Sequence, residues 1–143
     1  MRRLRLRGDC GSAAVEFAIV IPVLLLLVLG TVEFGRVFWF QNSLTNAARV
    51  GARTMAIEAS AANPNAVSDA KAQTVGAATV APALTTAQVT VSTSQGTSNC
   101  VLPANGAAVY VTVTIAYPIT QLTGFLPVYP SALAAKASVR CDG

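Results

Sequence analysis

An almost uninterrupted apolar run over residues 17–32 constrains this chain more than any other feature. About 20 apolar residues at a rise of 1.5 Å each cover the roughly 30 Å hydrocarbon core of a bilayer. Leucine, valine and isoleucine face every side of such a helix, which suits lipid or other apolar helices. A buried core helix is the alternative, but it would need partner elements on all sides, and a chain of 143 residues offers no obvious ones. The run therefore predicts one membrane-spanning helix over residues 12–33.

Two residues of this segment are unusual for a spanning helix. Glu16 lies about one turn into the segment, where a carboxylate is costly unless it is neutralised or paired. It either reaches the cytoplasmic headgroups or has a function. Pro22 removes one backbone hydrogen bond, which spanning helices tolerate, and it predicts a kink or a hinge.

The basic residues precede the apolar run. Arg2, Arg3, Arg5 and Arg7, with Asp9, give the first eleven residues a charge of +3 out of a net +4. By the positive-inside rule, the leader of residues 1–11 stays cytoplasmic and the C-terminal part is exported. No basic, aromatic-interleaved patch follows, so we expect no nucleic-acid partner.

A basic start before an apolar run also describes a cleavable secretory signal peptide. However, no small-x-small cleavage site follows the run, because residues 30–35 lead directly into a bulky group at residues 37–40. The helical pattern also continues beyond the run. We therefore expect the helix to stay in the mature protein, and a secreted chain after ordinary signal cleavage is the less favoured reading.

Beyond the membrane, spacings of three and four predict that the helix continues as an amphipathic segment over residues 34–60. Its predicted buried stripe consists of Phe34, Val37, Gln41, Leu44, Ala48, Gly51 and Met55. Phe38, Trp39 and Phe40 are expected to form an aromatic belt at the outer interface. Small residues at positions 47, 48, 51 and 52 permit close approach of a helix or sheet. Arg49 and Arg53 share a face that is either solvated or in contact with an acidic partner.

Residues 61–143 predict a small extracytoplasmic domain. Asn63 as N-cap and Pro64 at the first helical position start a shorter helix that ends near Val80. Alternating segments at 87–94, 108–117 and 133–141 predict three antiparallel strands, which makes the fold class α+β. The loop at 119–130 is either a contact patch or a flap over the core. Its apolar residues are Leu122, Phe125, Leu126 and Tyr129.

The remaining composition limits the chemistry. Cys100 and Cys141 are an even pair in the exported part and predict a disulfide, with two buried free thiols as the alternative. The chain has no histidine, so a Ser-His-Asp triad cannot form, and too few ligands remain for a zinc site. The carboxylates are dispersed and no glycine-rich phosphate loop occurs. We therefore expect no enzyme, no metal, no cofactor and no small-molecule substrate.

Three motifs at fixed spacing resemble the TadE-like family, the minor pseudopilins of the bacterial tight-adherence, or Flp-type pilus, machinery. They are GSAAVEFAIVIP at residues 11–22, VEFGR at 32–36 and LTNAARVGAR at 44–53. Val50 departs from the family, in which an acidic residue is frequent at this position, and a local salt bridge there is in doubt.

The resemblance implies a use for each motif. A prepilin peptidase would cut after Gly11, so that Ser12 becomes the first residue and Glu16 the fifth. Glu16 and Phe17 would serve processing and assembly, and the partner of Glu16 would be either the new amine of a neighbouring subunit or a lipid-facing proton. The third motif supplies helix positions in the extracytoplasmic segment. These positions are Asn46, Ala47, Ala48, Arg49, Gly51, Ala52 and Arg53.

The resemblance also implies a setting. The protein would be a single-pass protein of the bacterial inner membrane with a pilin-like fold and a cytoplasmic N-terminus. Its partners would be the peptidase and other pilins or pseudopilins, and its function would be pilus assembly and surface attachment. The alternative is an uncleaved signal-anchored envelope protein with an adhesive or ligand-binding extracytoplasmic domain.

Overall fold

A computed structural model of the chain describes residues 9–60, 63–96, 100, 106–124 and 129–141. Two helices, α1 (Asp9–Ser60) and α2 (Ala66–Ala77), are followed by a short 3-10 turn at Thr86–Gln88. Three strands complete the described part, β1 (Val89–Thr93), β2 (Tyr110–Pro118) and β3 (Ala132–Arg140). This layout confirms the predicted α+β class, with a long N-terminal helix, a short helix and a three-stranded antiparallel sheet.

The helix α1 has two parts with different surroundings. It contains 52 residues and continues through Pro22, and at 1.5 Å per residue it is about 78 Å long. Residues 11–29 are exposed along their whole length, whereas the C-terminal half packs against the domain. Among the described residues, α1 is the one helix long and apolar enough to cross a membrane.

The sheet has the strand order β1-β2-β3 with both pairs antiparallel. Val113 lies opposite Val91 on one side and opposite Ala137 on the other. Val111, Val113, Ile115 and Tyr117 are buried, while the residues between them are exposed or half-buried. The predicted alternation of β2 is therefore confirmed, because one sheet face is covered and the other is open.

The covered face of the sheet forms the core with the two helices. Near the middle of α1, Phe40 and Leu44 pack with Ile115, Tyr117 and Leu133. Towards the end of α1, a second cluster is built around Met55, and its members include Ala66, Ala70, Val109, Val111 and the two cysteines. The C-terminal half of α1 is thus the central element of the domain.

The predicted stripe of α1 is wrong at one position, and the predicted aromatic belt is wrong at another. Phe34 is 72% exposed, whereas Phe40 is only 6% exposed. The stripe that the domain covers instead begins at Glu33 and passes through Phe40 and Leu44. A carboxylate occupies the position that a purely apolar pattern gave to Phe34. Phe38 and Trp39 are exposed, as a belt requires.

The predicted start of α2 is also wrong. Its N-cap is Asn65 and its first residue is Ala66, so Pro64 precedes the helix. The Oδ1 atom of Asn63 accepts a hydrogen bond from the N–H of Asn65 at 2.9 Å, a turn that places Asn63 before the cap. The helix ends at Ala77, because Ala78 already has an extended backbone.

The strand boundaries differ from the predicted ones by one or two residues each. The first strand begins at Val89 because the preceding residues form the 3-10 turn, in which Thr85 and Gln88 cap each other. Pro118 is the last residue of β2 and lies opposite Ala132. The N–H of the next residue, Ile119, donates to the carbonyl of Ser131, so Pro118 lies at a position that needs no hydrogen bond to β3.

Candidate functional site

The predicted cleavage site lies near the N-terminal limit of the described part of α1, which starts at Asp9. Gly11 and Ser12 are both helical there. A Cβ atom added at Gly11 would meet no atom within 4 Å. Gly11 and Ser12 are both exposed, so a protein that approaches this part of the helix can reach their peptide bond.

Glu16 and Phe17 lie on an open face of the same helix. They share this face with Ala13 and Val20, as residues three and four apart do on a helix. The apolar stretch around them is not buried against any described part of the chain. The structure therefore leaves Glu16 accessible to lipid or to another molecule.

The domain begins to pack on α1 at Glu33, which is 1% exposed. Its Oε1 atom accepts three hydrogen bonds, from the N–H of Leu122 at 2.7 Å, the N–H of Thr123 at 2.9 Å and the Oγ1 of Thr123 at 3.1 Å. Bonds to a carboxylate are among the stronger hydrogen bonds in proteins. Glu33 therefore fixes the loop that follows β2 to the point where α1 enters the domain.

Arg36 holds the same loop one turn further along α1. Its Nη1 donates to the carbonyl of Thr120 at 2.9 Å, and its guanidinium lies 5.1 Å from the ring centroid of Phe40. Phe40 meets Tyr117 edge to face at 5.9 Å, and the Tyr117 hydroxyl donates to the carbonyl of Pro82 at 2.6 Å. Burial raises the pKa of Tyr117, which the positive charge of Arg36 partly offsets. We call the contacts of Glu33 and Arg36 with residues 120–123 the loop clasp.

The clasp was not predicted from the sequence, although its residues lie in the motif at 32–36. A glutamate and an arginine three residues apart on a helix are typical of exposed positions. The signal that could have found Glu33 is its place in the helical period of the buried residues, four positions before Val37 and eleven before Leu44.

The loop after β2 also presents Tyr129 to the core. Tyr129 is half-buried and packs against the larger core cluster. Burial raises the pKa of its hydroxyl, and the negative charge of Glu33 adds to this rise. Leu122, in contrast, is 67% exposed. Phe125 and Leu126 lie outside the described residues, so the choice between flap and contact patch stays open for them.

The small residues of the third motif face the domain and are buried, namely Ala47, Ala48, Gly51 and Ala52. At Gly51, an added Cβ atom would collide with the Oγ1 of Thr74 and lie 3.1 Å from the carbonyl oxygen of Ala70. Thr74 is buried, and its hydroxyl donates to that same carbonyl at 2.7 Å. The predicted close approach is confirmed, and its partner is α2.

The polar residues of the third motif lie on the other side of α1. Asn46, Arg49 and Arg53 are exposed, and they border a groove of about 530 Å³. The opposite wall of the groove is formed by Ser138 and Val139 of β3. The motif therefore divides into a buried half that packs the domain and an open half that faces solvent.

Cys100 and Cys141 form a disulfide with a Cα to Cα distance of 5.7 Å, as predicted. Both cysteines are buried in the second core cluster, beside Met55 and Val109. The N–H of Cys141 also donates to the carbonyl of Val109 at 2.8 Å. The bridge thus joins the segment before β2 to the end of β3 at the C-terminal end of α1.

Two carboxylates meet at the junction between α1 and α2. The Nδ2 of Asn63 donates to Glu58 Oε2 at 3.1 Å and to Asp69 Oδ2 at 3.2 Å. Burial raises the pKa of Glu58, and the neighbouring charge of Asp69 raises it further. Asn63, predicted as the N-cap of α2, instead bridges the two acids. Over the described ranges, no three His, Cys, Asp or Glu residues group closely enough to hold a metal ion.

The apolar half of α1 and the compact domain on its other half define the class of this protein, a small α+β domain carried by one membrane-anchoring helix. Residues 11–53 match the family model described as TadE-like protein. This match confirms the resemblance over that segment, and it indicates involvement in Tad/Flp pilus-related assembly with partners in the pilus machinery. Neither the comparison with curated proteins nor the comparison with solved structures gave a match.

Proposed function

We propose that this protein is a minor pseudopilin of a Flp-type pilus. It is made with a basic cytoplasmic leader and held in the inner membrane by the N-terminal half of α1. A prepilin peptidase cuts it after Gly11, and it then takes part in pilus assembly and surface attachment. Support comes from the TadE-like segment at residues 11–53 and from the exposed apolar half of α1.

The observation that carries this proposal is the contrast along α1. Its first half exposes every large apolar side chain, and its second half is covered by the domain from Glu33 onward. An apolar helix without partners in its own chain is stable in lipid or among other apolar helices. A subunit that leaves the bilayer for a pilus exchanges lipid for the apolar helices of other subunits. The exposed apolar half of α1 suits both environments.

The surroundings of the cleavage site favour processing. A peptidase needs the peptide bond between Gly11 and Ser12 in an extended form. Both residues are exposed, and a Cβ atom added at Gly11 would meet no atom within 4 Å, so a peptidase can reach the bond. Gly11 also makes local opening of the helix easier, since glycine is the weakest helix former apart from proline.

Cleavage would give Glu16 a partner. The new α-amine at Ser12 is cationic, and a carboxylate in a low-dielectric environment strongly favours a cation nearby. Ser12 and Glu16 are four residues apart, so the amine and the carboxylate lie on one side of the helix. The amine of a neighbouring subunit can therefore reach Glu16 when two helices have the correct stagger, and Glu16 would select that stagger.

The cleavage step is tested by intact mass spectrometry of the full-length protein purified from its native host. We expect the mature chain to begin at Ser12, and we expect Gly11→Leu to retain the leader. The matched control is Gly30→Leu, another exchange at a glycine with open space around it, which should still be cut. An intact Met1 in the wild-type protein, or a first residue beyond Gly35, would contradict processing after Gly11.

The role of Glu16 is tested separately by electron microscopy of pili. We expect Glu16→Ala to abolish fibre formation and Glu16→Asp to retain part of it, since Asp keeps the charge. If Glu16→Ala is processed and forms normal fibres, the assembly role of this carboxylate is wrong. Deletion of the gene then decides between functions. Loss of pili supports the pseudopilin, and normal pili with lost surface binding support the uncleaved envelope protein.

A further inference from the structure

The groove beside the third motif joins two features that the proposed function does not use. It runs between the C-terminal half of α1 and the last strand, β3, and has a volume of about 530 Å³. Its walls consist of Asn46, Arg49, Val50, Arg53, Ser138 and Val139. Two of the six are cationic and none is acidic. Within the described residues, neither arginine has a hydrogen-bond or ion-pair partner.

The strand beside the groove, β3, lies at the edge of the sheet that the described residues form. The N–H of Cys141 donates to the carbonyl of Val109, and that of Ile119 donates to Ser131. Because hydrogen-bonded pairs alternate along an antiparallel ladder, the odd-numbered residues of β3 bond to β2. Lys136 and Ser138, which lie between those residues, direct their N–H and C=O groups away from β2.

One side chain already uses this edge as a hydrogen-bond acceptor. The Nε2 of Gln41 donates to the carbonyl of Ala134 at 2.9 Å, so α1 lies alongside the edge at this point. Further along, the groove brings Arg49 and Arg53 opposite Ser138. The residue numbers rise together on the helix and on the strand, so α1 and β3 run in the same direction, and a strand added to β3 would follow α1.

The spacing of the two arginines matches that of a strand. Four residues of a helix advance about 6 Å, and two residues of a strand advance about 6.7 Å. Side chains at alternate positions of an added strand point to the same face of the sheet. Carboxylates at two such positions would therefore meet Arg49 and Arg53 together.

We propose that the edge of β3 binds an extended acidic segment of a partner protein by β-strand addition. The backbone of that segment pairs with Lys136 and Ser138, and alternate carboxylates bind Arg49 and Arg53. Charge complementarity selects the partner, because the lining is basic. A lipid surface is disfavoured, since Arg49 lies 16 residues beyond Glu33, about 24 Å along the helix. The inference does not depend on pilus assembly.

The test uses the full-length protein in neutral detergent at low salt with two fluorescent decapeptides. One peptide alternates Glu and Val, and the other has the same composition with all Glu residues first. We expect saturable binding of the alternating peptide and at least tenfold weaker binding of the other. Arg53→Glu should weaken binding of the alternating peptide about threefold or more. The matched control Lys71→Glu, in α2, should change it less than twofold.

The edge itself is tested with Ser138→Pro. The N–H of Ser138 faces away from β2, so proline removes an edge donor and no ladder bond. We expect lost peptide binding with unchanged circular dichroism. If this variant does not fold, the double variant Arg49→Glu with Arg53→Glu replaces it as the test. With its charges reversed, this protein should bind a peptide that alternates Lys and Val. Equal binding of both acidic peptides, unchanged binding after charge reversal, or binding to anionic vesicles alone would overturn the proposal.

Discussion

Replacement of Gly51 by alanine should destabilise the domain, although alanine is the better helix former. The added methyl group would occupy the position of the Thr74 hydroxyl and approach the Ala70 carbonyl to 3.1 Å. Thr74 has no free space to move into, because it is buried in the α1 to α2 contact. The helices therefore have to separate, or the Thr74 side chain has to turn and give up its hydrogen bond to Ala70.

The expected decrease in the free energy of unfolding of Gly51→Ala is the sum of destabilising and stabilising contributions. Overpacking of a filled core costs about 1–3 kcal/mol, and a lost hydrogen bond costs about 1 kcal/mol more. Alanine returns about 1 kcal/mol through its higher helix propensity. The net loss in the free energy of unfolding is therefore about 1–3 kcal/mol. For a domain of this size, this corresponds to a decrease in Tm of at least roughly 4 °C.

The assay is thermal unfolding of the full-length protein in detergent, followed by circular dichroism. Gly76→Ala is the matched control, because Gly76 lies in α2 with open space around its Cα, and this exchange should raise stability by about 1 kcal/mol. Thr74→Ala in the Gly51→Ala background should recover part of the loss, since it removes the colliding hydroxyl. A Gly51→Ala variant as stable as the wild type, or one that Thr74→Ala does not improve, would refute the reasoning.

Three further predictions concern the ends of the domain. Replacement of both Cys100 and Cys141 by serine should lower the free energy of unfolding by about 4 kcal/mol, the chain-entropy value for a loop of about 40 residues, and reduction of the wild-type protein should lower Tm to the same value. Glu33→Ala should lower Tm because three donors lose their acceptor. Glu16→Ala, which lies outside the domain, should leave Tm unchanged. Equal changes in Tm for the two variants would show that the loop clasp does not stabilise the domain. The raised folded-state pKa of Glu58 means that its favourable contribution is fully present below its unfolded pKa, near 4.5, and is lost as pH rises through the folded pKa. Glu58→Gln should therefore raise Tm at pH 7 and reduce the difference between pH 5 and pH 7, and a larger difference would contradict the assignment.

Much of this fold could be predicted because the relevant signals are local. The alternation of Val111, Val113 and Ile115 reports one covered sheet face, and the length of the apolar run reports a helix that is long and apolar enough to cross a membrane. Cys100 and Cys141 are the two cysteines that follow the apolar run, and they pair with each other. The strand and the helix are each indicated by residues that are close in sequence. The disulfide is indicated because each of the two cysteines has the other as its available partner.

The misses share a different cause, which is dependence on partners far along the chain. A glutamate inside a buried stripe is unfavourable unless donors reach it, and its donors come from Leu122 and Thr123, about 90 residues later. The choice between Asn63 and Asn65 as N-cap is similar. The side chain of Asn63 is engaged by Glu58 and Asp69, which leaves Asn65 to begin the helix. Local propensity cannot weigh such tertiary contacts.

The loop clasp has a mechanical consequence. Glu33 and Arg36 attach the domain to α1 where the helix enters it, and the cluster of Met55 with the disulfide attaches it near the C-terminal end of α1. These two sets of contacts oppose rotation of the helix relative to the domain. A force or torque applied to the apolar half of α1 would therefore be transmitted to the domain, which would move and turn with the helix as one body.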